Sequence, residues 1–564
     1  MSAIDQMAAA PPPDLSPRAR GWLRFLWRKA MTGDDWSESG EPHPWWDRYS
    51  TAPMLDFPRF DLSESAYALG LMADITPAWR EAYSAILEQL VERHLTYWAA
   101  IDWLTHIGHD PRRGDYPRAW IETLIPPHLV GQYDVPGWCA NGVEPWGLQP
   151  DPIGAEGNLF FKGWLNLTMS LHAYVSGEQR WTKPFEVAGV DGARFQWTQP
   201  DVANILVERW AKYPKGPHCE NTKIWPFCLS AAGLGLQLYD GVFGKSAHSA
   251  FETWADETRG DYFGFDTGGN LEWTTFYYDP LIEHNHTLGP AGGLGIAFYL
   301  MPQDPAFAET LYRAAVSRLG WDNPAKEMRA TPDPRFAAVG LALAREWGDD
   351  TTFKRLSAYA EDNFEPRAFG NDGDEFGWWF NFGEDWPRGQ LSALMAVAEV
   401  GRPGAWSRLF REPNLSKFDL PTVTDVDFPA LGIARAWNEP EAGVLHVTTY
   451  TGETGRSGEP TRFRVTQLPD SGTVRVRCDG GEFGNWRALD GNSIEIETDI
   501  GDHGFEIFTG PVEARASGRS ATTSSSQSSA GQGSSAAPLA IKTLARVPGI
   551  AVSAGAGCPC CLGL

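Results

Sequence analysis

The chain has 564 residues, a formal net charge of −25, 13% aromatic residues and only seven cysteines. That length suits one large domain with an appendage, and 42% hydrophobic residues can fill a large core, which excludes disorder as the default state. The acidic balance excludes nucleic acid as a partner, because phosphate binding needs basic surface.

Residues 1–18 read as a Pro-rich flexible arm. The opening "MSAIDQMAAAPPPDLSPRARGW" has no basic stretch followed by an apolar one, so a secretory signal is not expected. No run of about 18 apolar residues is free of charge, so no membrane span is expected. Few cysteines without framework spacing fit a reduced, cytoplasmic protein.

From residue 19 to 414 the pattern is helical. "RARGWLRFLWRKA", "SESAYALGLMADI", "AWREAYSAILEQLVERHLTYWAAIDWL", "NLFFKGWLNLTMSLHAYVSG", "PDVANILVERWAKY", "FCLSAAGLGLQLYDGVF" and "KSAHSAFETWADET" carry apolar residues at i, i+3, i+4 spacing. "GGLGIAFYLM", "PAFAETLYRAAVSRL", "PRFAAVGLALAREWG", "TTFKRLSAYAEDNF" and "RGQLSALMAVAEV" follow. These make roughly a dozen helices between Gly/Pro/Asp-rich loops, with strand signals scarce. No fixed repeat length points to a solenoid. The expected architecture is mainly α, an (α/α)6 barrel of paired helices, with its site on the long loops at one end. The 26 tryptophans fit a cavity walled by aromatic rings.

Composition shifts near residue 415. "VLHVTTYTG", "TRFRVTQLP", "TVRVRCDG", "NSIEIETDI" and "GFEIFTG" alternate and are rich in β-branched residues, so 415–515 is expected to be a small antiparallel β domain with strands over about 440–512. Residues 516–564 are low-complexity and read as a disordered tail. The tail ends in "GCPCCLGL", which lacks a distant Cys/His partner at ligand spacing and is not a prenylation ending.

The segment "GPHCENTKIWPFCLSAAGLGLQLYD" holds Cys219 and Cys228, nine residues apart, with Glu220 beside the first. On one unbroken helix that spacing puts them on opposite faces. Pro226 lies between them and suits a first helical turn. A helix beginning there places Cys228 in its first turn and Cys219 on the incoming loop, so both can face one cavity. Helix-terminal N–H groups then favour thiolate at Cys228, while Cys219 stays a protonated thiol. One acid and one base suit proton-shuffling chemistry. Two buried structural cysteines, or a disulfide, share this spacing.

The same segment resembles the two-cysteine stretch of the linalool dehydratase/isomerase family. "DPIGAEGNLFFKGWLNLTMSLHAYVSGEQRW", residues 151–181, resembles that family's conserved run, with Lys162-Gly163 and Leu165-Asn166-Leu167 in place. The resemblance implies an (α/α)6 barrel in homo-oligomeric rings. It also implies cofactor-free acid/base dehydration, hydration or isomerisation of a small terpenoid alcohol. Carried over by position, Cys219, Glu220 and Cys228 are the catalytic candidates. Tyr49 and Asp47, in "WWDRYSTAP", answer to the family's N-terminal Tyr and Asp. Where the family has a histidine between Lys-Gly and Leu-Asn-Leu, this chain has Trp164. Tryptophan cannot transfer a proton at neutral pH but can wall an apolar pocket.

Candidate substrate contacts are Trp164, Phe160, Trp225, Phe227, Tyr278, His284 and Trp378. His284 and His286 at i, i+2 permit a metal only if extended, with no third ligand evident. The expected metal content and cofactor are none. The acids and tryptophans of residues 371–389 suit a sugar or an apolar ligand, and solvated acids over core aromatics explain them as well. Three functions follow. The first is a cofactor-independent lyase or isomerase, cyclisation included, acting on a small apolar substrate. The second is a carbohydrate-active (α/α)6 enzyme, which needs two carboxylates about the scissile bond. The third is a non-catalytic helical binding protein.

Overall fold

The computed structural model describes residues 11–36, 42–47, 58–96, 149, 151–157, 159–189, 192–219, 223–280, 283–331 and 333–510. Tyr49, Glu220, most of the N-terminal arm and all of the tail from 516 lie outside the described residues.

Within 19–414 the main elements are helices. They are α1 (Pro17–Met31), α2 (Pro58–Ile75), α3 (Glu81–His94), α4 (Leu159–Ser176), α5 (Gln199–Lys212) and α6 (Pro226–Phe243). Then come α7 (Ser249–Tyr262), α8 (Gly293–Leu300), α9 (Pro305–Leu319), α10 (Pro334–Glu346), α11 (Asp350–Asn363), α12 (Gly389–Val400) and the short α13 (Ala405–Arg411). Their ends carry expected signals. Ser16, Thr198, Asp304, Asp333 and Asp349 cap α1, α5, α9, α10 and α11, and proline opens α1, α6, α9 and α10.

Helices α2, α4, α6, α8, α10 and α12 are almost wholly buried, and α4, α6, α8 and α12 are apolar nearly all round. Helices α7 and α11, by contrast, bury only a stripe. An all-round apolar helix must be enclosed by others. Accordingly α2 packs on α4, α4 on α6, α6 on α8, α8 on α10, α10 on α12, and α12 returns to α2. Helices α4 and α6 approach closely. A Cβ on Gly163 would lie 2.7 Å from Ala232 Cβ, and one on Gly235 would lie 3.1 Å from the Leu167 nitrogen. Both contacts advance along both helices together, so α4 and α6 run parallel and their N-termini share one end. Phe60 against Phe160 and Gly70 against Leu171 place α2 parallel to them. At the opposite end α13 packs against α2, α6 and α10.

Strands are less scarce in this span than expected. Hairpins β1 (Phe185–Ala188)–β2 (Arg194–Trp197) and β6 (Pro366–Phe369)–β7 (Glu375–Trp378) are antiparallel, as is the sheet of β3 (Phe263–Phe265), β4 (Leu271–Asp279) and β5 (His284–Leu288). They lie in segments read as loops: the strands of the two hairpins are four residues long, too short to display alternation, and β4 and β5 alternate imperfectly. The last nine strands form two antiparallel sheets. They are β8 (Thr422–Thr424), β9 (Leu431–Glu439), β10 (Val444–Thr451), β11 (Pro460–Thr466), β12 (Arg475–Cys478), β13 (Gly481–Glu482), β14 (Trp486–Asp490), β15 (Ser493–Asp499) and β16 (Gly504–Phe508). Pairing thus begins at Thr422, earlier than the alternation announces. Among the described residues no helix is long and apolar enough to cross a membrane.

Candidate active site

Pro226 does open α6, with Cys228 in its first turn and Cys219 on the incoming loop. Both thiols are fully buried. The loop docks onto the start of α4. Leu159 N–H donates to the His218 carbonyl at 3.1 Å, and Phe160 N–H donates to Cys219 Sγ at 3.3 Å. The loop is pinned from its other side by β4. Ile224 and Tyr278 exchange two backbone bonds of 2.8 Å, and the buried Lys223 ammonium lies 2.6 Å from Asp279. Trp225, just before α6, packs on Phe276 and Tyr277.

Cys219 is held on two sides. Its sulfur accepts an N–H from the first turn of a helix, and the buried Lys162 lies within its electrostatic reach. Burial, then Arg209, holds the Lys162 ammonium down to about 7, with Glu156, Asp151 and Cys219 pulling the other way. Its Nζ donates to the carbonyls of Ala155 and Gly157 at 2.5 Å each. This straps the "DPIGAEG" loop to α4 and accounts for a lysine in an apolar helix.

Trp164 sits among aromatics from the first turns of α4 and α6 and the last turn of α8. It stacks on Phe160 at 4.1 Å, lies 5.9 Å from Phe227 and meets Tyr299 edge-on at 5.6 Å. Phe227 keeps partial exposure and lies 5.0 Å from Tyr299. Beyond Tyr299 is a group the sequence reading missed. The hydroxyls of Tyr67 and Tyr299 are 3.1 Å apart, and the Tyr299 hydroxyl donates to Glu64 Oε1 at 3.3 Å. Burial pushes the Glu64 carboxyl up to about 8, against the opposing pulls of Gln390, Arg335 and Tyr299. At neutral pH it is a protonated acid in an aromatic surround. Its sequence signal was "SESAYALGLMADI": in a helix with no solvent-facing side, an acid must be inside.

Asp47 is buried at the same end of the helices. Its carboxylate accepts from Gly389 N–H at 2.7 Å and Gln390 N–H at 2.9 Å, capping α12, and its own N–H donates to Asp61 at 3.1 Å. Asp61 is held above the ordinary carboxylate range by burial and by Asp47, with the Lys29 ammonium, 2.6 Å away, opposing.

The remaining candidates lie apart from this centre. Tyr278 serves the loop through its backbone, while its ring faces Tyr262. His284 is half-buried on β5, opposite Asp279. Among the described residues, no grouping with metal-holding geometry includes His284 or His286. Trp378 is buried on β7 beside Phe376 and Phe380 under the Arg18 guanidinium. The acids of residues 371–389 are largely ion-paired: Asp374 with Arg24 at 2.9 Å, Glu375 with Arg28 and Glu384 with Arg388 at 2.7 Å.

Among solved structures, an endoglucanase CelQ from Clostridium thermocellum complexed with cellotriose is 13% identical, covers 89% of this chain and 93% of its own, and superposes with a TM-score of 0.33. A GH127 β-L-arabinofuranosidase from Geobacillus stearothermophilus T6 is 12% identical over 90% of this chain and 78% of its own, with a TM-score of 0.23. Residues 140–375, which hold Lys162, Trp164 and both buried thiols, match the model of the linalool dehydratase/isomerase family, and this is the family that the segment resembles.

Proposed function

We propose that this chain is a cofactor-independent acid/base lyase or isomerase that acts on a small apolar, terpenoid-like alcohol or alkene. The observation that carries the proposal is the Phe160 N–H on Cys219 Sγ, which seats one buried thiol at the start of α4 next to the Phe160–Trp164 stack, while a second buried thiol opens α6. The family match over 140–375 supports the same chemistry. In a dehydration, the Cys228 thiol protonates the hydroxyl. The C–O bond breaks with its electron pair leaving as water, and the Cys219 thiolate takes the proton from the neighbouring carbon. That C–H pair becomes the double bond. Isomerisation or ring closure follows when the cation is trapped elsewhere before the proton is lost. The cycle closes when the proton taken up at Cys219 returns to Cys228, with protonated Glu64 as the reserve acid of the aromatic centre. Aromatic faces lower the energy of a cation in a dry site.

The setting we infer is a closed (α/α)6 toroid over 19–414, with the proton chemistry where the inner helices begin and a β domain over 415–515 appended. The cyclic packing from α2 through α12 back to α2 supports this reading. We further infer a cytoplasmic homo-oligomer, with Tyr49 and Glu220 completing the site.

The test is incubation of the purified protein with a panel of isoprenoid alcohols and alkenes, with oligosaccharide controls and product analysis by mass spectrometry. Cys219→Ala and Cys228→Ala should each lower turnover by about 10²–10⁴-fold. Full activity in both variants would remove the thiols from the reaction.

A further inference from the structure

A second cluster of chemically distinct donors lies in the C-terminal sheets, far along the chain from the thiol pair. Strand β12 ends at Cys478, which faces Phe505 of β16, and the chain turns at Asp479. Asp479 Oδ1 accepts from Gly504 N–H at 2.9 Å, which fixes the carboxylate plane. Its Oδ2 then lies 3.0 Å from His503 Nδ1 and 3.5 Å from Cys478 Sγ. One donor atom from each residue falls within 4.8 Å of the other two. The second histidine nitrogen, Nε2, points to Asp499 Oδ1 at 3.3 Å.

Those separations are hydrogen-bond lengths that also come close to the edges of a coordination shell. Bonds of about 2.0 Å to nitrogen and oxygen and about 2.3 Å to sulfur, at tetrahedral angles, set N···O near roughly 3.3 Å and S···O near roughly 3.5 Å. The orientation of His503 has a matching logic. A metal-bound imidazole almost always gives its other N–H to a carboxylate, which fixes the ring and its tautomer, and Asp499 stands in that place. Thiolate, imidazole and carboxylate together select zinc over the oxygen-seeking magnesium and calcium.

We propose that Cys478, Asp479 and His503 bind a zinc-class divalent cation, with Asp499 orienting His503 and a fourth position left to water. The ion joins the end of β12 to the start of β16 and so fastens the strand pair that carries edge strand β13. It takes no part in the proton chemistry proposed for the helical region.

The test uses the full chain with Cys558, Cys560 and Cys561 changed to serine, so that the tail contributes no thiols. After chelator treatment it is titrated with Co²⁺. Expected are a thiolate-to-cobalt charge-transfer band in the near ultraviolet and its loss when Zn²⁺ is added. Cys478→Ser should abolish the band, and Asp499→Asn should keep it while weakening affinity about 10–100-fold. Absence of the band in the parent, or its survival in Cys478→Ser, overturns the site. The titration of the parent needs no substitution at the cluster, so misfolding of a variant cannot mask the answer.

Discussion

At the scale of single residues, the tension in this molecule lies in Glu64. Its carboxyl rises from the ordinary 4.5 to about 8 because burial outweighs the pulls of Gln390, Arg335 and Tyr299. The sign of the consequence follows from proton counting. Between about pH 4.5 and 8 the folded chain holds this proton while the unfolded chain has released it, so stability falls as pH rises through that window. Above the folded value the penalty is complete, of the order of a few kcal/mol. Glu64→Gln keeps the shape and a hydrogen-bonding partner for Tyr299 but cannot ionise. Its urea midpoint should vary less between pH 5 and 9 than that of the parent, and an unchanged pH dependence would show that Glu64 does not hold its proton. In turnover assays the parent's rate should drop as pH passes about 8, and the variant should lose that limb along with about 10²–10⁴-fold of the rate. Trp164 carries the complementary lesson. It stands where the resembled family has a proton-transferring histidine and is locked between Phe160 and Tyr299. Under the proposed function, proton transfer falls to groups such as the thiols and Glu64.

At the scale of elements, the thiol pair depends on how closely α4 and α6 approach, because Phe160 and Cys228 begin those two helices. Gly163 makes the approach possible. Gly163→Ala gains helix propensity of about 1 kcal/mol but sets a methyl 2.7 Å from Ala232 Cβ. Overpacking at this level costs roughly 1–3 kcal/mol, so thermal unfolding should show a net loss. Adding Ala232→Gly should restore much of the clash term, and failure of that rescue would place the strain elsewhere. Asp47 governs another junction, with two N–H groups of α12 on its carboxylate from some 340 residues away in sequence. Asp47→Ala should cost about 0.5–2 kcal/mol in the same assay. These junctions mark the limit of what the sequence discloses. The helices were legible because their apolar spacing and their caps are local, and so were the start of α6 at Pro226 and the place of each cysteine relative to it. Which group sits on which sulfur was not legible. Phe160 N–H reaches Cys219 across 59 residues, and no local pattern encodes that contact. The three small sheets of the helical span were lost for a similar reason. β4 and β5 alternate imperfectly, with a shift in register between Thr275 and Tyr277, and their pairing becomes visible only once the chain has turned.

At the scale of the whole molecule, α13 packs across the ends of α2, α6 and α10, and in the toroid we propose it would close the end away from the thiols. Its anchor is Trp406. Glu346, at the end of α10, accepts from Trp406 N–H and Ser407 N–H at 2.9 Å each, which caps α13 and fixes it to α10. The indole stacks on Phe298 at 4.7 Å and lies 5.6 Å from Tyr67, the hydroxyl partner of Tyr299. Its N–H donates to the Phe298 carbonyl at 3.0 Å. That carbonyl has a particular need. In a helix it would accept from the residue four further on, and here that residue is Pro302, which has no N–H. Two substitutions separate the roles of ring and donor. Trp406→Ala removes both and should cost about 3–5 kcal/mol, with a lower rate because Tyr67 loses its backing. Trp406→Phe keeps most of the ring and leaves the buried Phe298 carbonyl unsatisfied, which should cost about 1–3 kcal/mol. Urea denaturation followed by helical circular dichroism measures both. If Trp406→Phe matches the parent, the carbonyl finds another donor and α13 is held by packing alone. If Trp406→Ala matches it too, α13 does not seal the ring.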